Sequence, residues 1–150
     1  MTDAIVVGTD GSDTAERAVA EAVRLAKALG GELHIVAAFT PLRGARIAGA
    51  PTGAAQVWAP HPDDQVEAIL SEAASRVRLA EVPFTTHAVQ DDPADALVHV
   101  AEQVGASMIV VGSKGMHGAR RLALGNVPNK VSHHARCNVL IVATDRREPA

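Results

Sequence analysis

A chain of 150 residues and 15.5 kDa fits one domain with no room for a second full-sized one, so we expect a single domain over 1–150. Apolar residues make up 47% and charged residues 21%, which excludes the disordered class, and the 2% of aromatics argues against a base-stacking or sugar-stacking surface. The formal net charge of −3 excludes a generally basic nucleic-acid binder, and a single cysteine, Cys137, excludes an intramolecular disulfide framework and most zinc sites.

Ala4-Ile5-Val6-Val7-Gly8-Thr9 reads as a buried parallel strand. Ser12 offers a helix N-cap, Ala15, Ala18, Val19, Ala22, Ala26 and Leu29 follow at helical spacing, and Gly30-Gly31 supplies the stop. Leu33 to Ala38 predicts a second buried strand. Residues 40–62 carry four prolines and three glycines in 23 positions, together with the only tryptophan, Trp58, and read as a lid, a binding loop or a disordered segment. Helical periodicity returns from Val66 to Ala80, acidic at its start and basic near its end. Phe84 to Val89, behind Pro83, suggests an edge strand. Asp92-Pro93-Ala94-Asp95 is a strong helix start, and that helix runs to Gly105. Ser107–Val111 reads as a strand, Asn126–Arg136 as a helix and Asn138–Val142 as a last strand. Strands alternating with helices argue for a parallel α/β sheet with right-handed crossovers.

Charge is unevenly spread. From Gln103 to Thr144 there is no acid, while Lys114, Arg120, Arg121, Lys130 and Arg136 give a local +5, leaving −8 elsewhere to make −3. Such a stretch is either a solvated face or the surround of a small anion. Within it, Gly112-Ser113-Lys114-Gly115-Met116-His117-Gly118 follows the fourth strand, and Gly125-Asn126-Val127-Pro128 opens the next helix. Glycines let backbone amides approach a ligand closely, and a helix start presents further amides, so the pair reads as a phosphate cradle with Asn126 as N-cap. There is no G-x-x-x-x-G-K-[ST] and no G-x-G-x-x-G after the first strand, which excludes a P-loop and a dinucleotide fingerprint. Asp10, in Gly8-Thr9-Asp10-Gly11-Ser12, lies at a strand's carboxyl end, where it either braces the turn or accepts from a ribose hydroxyl. Adjacent His133 and His134 point about 100° apart on a helix and are not expected to share a metal. Ser113 has no base beside it in sequence, so no catalytic residue is assigned.

These motifs resemble the universal stress protein family, in its single-domain, nucleotide-binding type. The resemblance rests on Val6-Val7-Gly8-Thr9-Asp10-Gly11-Ser12, Leu33-His34-Ile35-Val36, Asp92-Pro93-Ala94-Asp95-Ala96-Leu97 and Ile109-Val110-Val111-Gly112. It rests also on the family's signature of Gly, two residues, Gly, nine residues and Gly, met by Gly112, Gly115 and Gly125, with Asn126 where the family has Ser or Thr. It implies a three-layer α/β/α sandwich of the adenine nucleotide alpha hydrolase-like kind, with a five-stranded parallel sheet in the order 3-2-1-4-5. It implies ATP in a stress-response role, entering with Mg²⁺, or cyclic AMP as an alternative. Adenine is expected near Ile35 and Ala37, ribose at Asp10, and phosphates on Gly112, Gly115, Gly125 and Asn126, with Thr9 and Val127 completing the site. A homodimer through the C-terminal strand is expected too. A dimeric interaction module without nucleotide is a further alternative, and an enzyme the least favoured. No apolar run approaches about 18 residues and Met1-Thr2-Asp3 carries no basic segment, so we expect no membrane span and a cytoplasmic protein.

Overall fold

A computed structural model describes residues 2–39, 62–113 and 126–143. Strand β1 (Ala4–Gly8) leads into helix α1 (Asp13–Leu29), strand β2 (Glu32–Phe39) and helix α2 (Pro62–Leu79). Strand β3 (Phe84–Gln90), helix α3 (Pro93–Val104), strand β4 (Met108–Gly112), helix α4 (Asn126–His134) and strand β5 (Asn138–Val142) follow. The expectations for Trp58, most of the 40–62 loop, Gly115 and Gly125 lie outside the described residues.

Local chemistry sets the helix ends. Ser12 Oγ accepts from the Ala15 amide at 3.2 Å to start α1, which Gly30 ends in the left-handed region. Asp92 caps α3 by accepting from the amides of Ala94 and Asp95, Pro93 fills the first helical position, and Gly105 ends the helix. Helix α4 stops at His134, two residues short of the expected Arg136.

All strand pairs are parallel and the order is β3-β2-β1-β4-β5, as the family resemblance implied. Because side chains alternate across a strand, each buried strand serves two cores. Ile5, Val7, Leu33, Ile35 and Val110 pack beneath α1 and α2. Val6, Val36, Ile109 and Val111 pack beneath α3 and α4, with Leu97, Val100 and Val131. Each such Ile, Leu or Val contributes roughly 1.5–3 kcal/mol by leaving water. The sheet is therefore covered on both faces. The Arg76 guanidinium, 2.9 Å from Glu16, ties α2 to α1.

Candidate functional site

The strand order reverses between β1 and β4, and a crevice opens there at the strands' carboxyl ends. It encloses about 200 Å³. Gly8 at the end of β1, Val111 next to the end of β4 and Val36 within β2 form its floor. Gly8 and Val36 are register partners, and a Cβ at Gly8 would come within 3.1 Å of the Leu97 side chain. A hydrogen at this position thus lets α3 lie close over the strand ends. Ser12, Thr14 and Ala15 of the α1 start form one wall, Pro93 and Leu97 another, and Asn126, Val127 and Pro128 a third.

Three helix N-termini meet at this crevice, and their partial positive charge favours an anion. Two of them are already satisfied in part, since Ser12 and Asp92 occupy amides of α1 and α3. Helix α4 differs. Among the described residues it begins at Asn126, which stands inside the helix and not ahead of it as a cap. Asn126 thereby brings its backbone amide into the first turn.

Asp10 braces its turn and lines the crevice at once. Its Oδ1 accepts from the Ser12 amide at 2.9 Å, while Thr9 Oγ1 accepts from Gly11 at 3.2 Å. Gly11 takes φ +82, which a side chain would oppose, and so permits this tight exit from β1. Asp10 is the only ionisable side chain among the described residues lining the crevice.

Of the expected site residues, Thr9, Asp10, Gly112, Asn126 and Val127 come together here. Ile35 and Ala37 do not: their side chains are buried on the opposite face, beneath α1 and α2. The β2 contribution shifts by one residue, to Val36 and Ala38, because successive side chains point to opposite sides of the sheet. Ser12, Thr14, Pro93 and Leu97 were missed. Their signal lay in the two helix starts, which were read as caps alone.

Of the cations in the acid-free stretch, the two among the described residues, Lys130 and Arg136, find partners on α3. Lys130 Nζ lies 3.2 Å from Asp92 Oδ2 and 3.0 Å from Asp95 Oδ2, and Arg136 Nε lies 3.7 Å from Glu102. Hydrogen bonds to Asp95 and Asp92 raise the Lys130 ammonium above its ordinary pKa. Burial alone would raise Asp92, but the Lys130 ammonium and the Asp95 and Ala94 amides outweigh it and hold the carboxyl below its usual value. Cys137 is a free thiol pushed up by burial, hence an inert one. Among the described residues no His, Cys, Asp and Glu cluster suits a metal ion, and no helix is long and apolar enough to cross a membrane.

A doubly wound α/β domain with a ligand-sized crevice at its switch point is the class that fold and site define. The model of the universal stress protein family matches residues 1–143, and the chain belongs to that family. It is 33% identical over 153 residues to universal stress protein YxiE of Bacillus subtilis, covering 95% of this chain and 99% of that protein. It is 35% identical over 149 residues to universal stress protein Rv1636 of Mycobacterium tuberculosis, covering 93% and 95%. Among solved structures, a universal stress protein in complex with cAMP superposes with a TM-score of 0.70 at 35% identity, covering 96% of this chain and 98% of that one. A universal stress protein of Archaeoglobus fulgidus in complex with dAMP superposes with a TM-score of 0.66 at 24% identity, covering 94% and 97%, a likeness of fold.

Proposed function

We propose that this chain is a stress-response regulator that binds an adenine nucleotide in the crevice between β1 and β4, with ATP as the leading ligand. The observation that carries the reading is the meeting of Asp10, Gly112 and the α4 start in one crevice. Ribose hydroxyls would donate to Asp10, the base would lie on Val36 and Ala38, and phosphates would take amides near Gly112 and Asn126. The spacing of Gly112, Gly115 and Gly125 supports a polyphosphate, with which Mg²⁺ would enter. Cyclic AMP is the second reading, favoured by the 35% identical structure in complex with that ligand. Binding without turnover fits an ionisable lining that is Asp10 alone among the described residues. The reading includes a cytoplasmic homodimer joined through β5, whose residues Val139 to Val142 are apolar and half-buried.

Freshly purified protein, denatured and chromatographed, should release an adenine nucleotide, and calorimetry with ATP, AMP and cAMP then ranks them. Protein that carries nothing and gives no heat with any of the three overturns the reading.

A further inference from the structure

Helix α4 lies against α3 at the crevice, and Pro128 and Val131 are its buried side chains. Nine residues are too few for a helix to hold itself, so its placement depends on what grips it. Its polar grip is Lys130. The ammonium reaches two carboxylates of the α3 start, and Asp92 Oδ2 also accepts from the amides of Ala94 and Asp95. One oxygen thus joins the first turn of α3 to α4. Asn126 stands four residues before Lys130, on the same face of α4, and lines the crevice opposite Pro93 and Leu97.

Charge gives the same contact a second consequence. Asp92 directly precedes Pro93, which lines a crevice suited to an anion, and Asp95 follows two residues later, so two free carboxylates there would oppose phosphate. Lys130 offsets them while remaining 42% exposed.

We propose that Lys130 is the positioning residue of the nucleotide site, clamping the α4 start to Asp92 and Asp95 and masking their charge from phosphate. The proposal rests on the nucleotide reading above. Lys130 acts through α4 and the two carboxylates.

The test compares wild type with Lys130→Met, which keeps the stem, and Lys130→Arg, which keeps the charge. ATP affinity in Lys130→Met should fall about threefold to tenfold, the loss should shrink as salt is added, and Lys130→Arg should restore most of it. Adding Asp95→Asn to Lys130→Met should regain affinity, since it removes an unmasked carboxylate. In nucleotide-free protein, amide exchange in α4 should quicken in Lys130→Met while α1 is unchanged. Wild-type ATP affinity in Lys130→Met overturns the proposal. If wild type binds no adenine nucleotide, the nucleotide reading fails by itself and the masking of phosphate repulsion with it; the clamp then stands on faster α4 exchange in Lys130→Met and falls if exchange is unchanged.

Discussion

Nδ1 of His34 lies 2.9 Å from Nε2 of His87, across the boundary between β2 and the edge strand β3. His34 is 7% exposed and is the one buried polar side chain among the described residues. Its Nε2 stands 3.0 Å from Glu32 Oε1, so the three side chains form a hydrogen-bonded row. With His34 donating to Glu32, its Nδ1 accepts from the His87 N–H. One added proton leaves one hydrogen between the rings. A second sets two N–H groups against each other and removes a link between β2 and β3.

Stability should therefore fall in mild acid. Burial, and after it the charge of His34, hold His87 below the ordinary histidine value. The unfolded chain then takes up its proton first, near pH 6.5. The contribution of His87 is complete above about that pH and is lost as pH falls toward its folded value. Urea midpoints taken at about pH 7.5 and about pH 5 should decline, and His87→Gln should make the decline shallower. Equal slopes in both proteins would remove His87 as the source.

Asn126→Ala should weaken ATP binding at least about tenfold, or roughly 1.4 kcal/mol, because it removes the side-chain carboxamide that lines the crevice at the α4 start. Thermal unfolding should change little, since Asn126 is exposed. Undiminished affinity by calorimetry would take the phosphate away from α4.

Asp10 separates two roles by two substitutions. Asp10→Ala removes the acceptor of the Ser12 amide and should cost about 1 kcal/mol of stability. Asp10→Asn keeps an oxygen for that amide and should spare the fold. Both should lower affinity for ATP, AMP and adenosine alike, because ribose is common to the three. A loss confined to ATP with Mg²⁺ would make Asp10 a metal ligand instead.

Features written in neighbouring residues were legible in the sequence. Ser12 and Asp92 announced their helices because a cap is an arrangement of three or four consecutive residues. The strand order followed from resemblance, since periodicity shows that strands are buried and not which ones adjoin. The face of β2 was illegible for a related reason. Ile35, Val36 and Ala37 are all apolar because both sides of the strand are covered, so alternation carried no polar mark to tell crevice from core. Ion pairs across the fold were beyond reach as well: Lys130 lies 38 and 35 positions from Asp92 and Asp95, and His34 lies 53 from His87. A histidine inside an apolar strand was the sole local hint of that row.

Among the described residues, strand β5 pairs with β4 on one side and ends the sheet on the other. Leu140 and Val142 lean toward the core beneath α1 and α2, and Val139 and Ile141 toward the core beneath α3 and α4, yet all four are only half-buried. No charge interrupts the run from Val139 to Val142, so nothing in β5 itself guards its unpaired amides and carbonyls. A second copy pairing the same strand about a two-fold axis would satisfy those groups and cover the side chains on both faces. Light scattering should then report about 31 kDa, twice 15.5 kDa. Leu140→Lys should shift the protein toward monomer or aggregate, and Val139→Lys, on the opposite face, should do the same. A wild-type monomer at micromolar concentration would sink the edge pairing while leaving the crevice, which lies within one subunit, untouched.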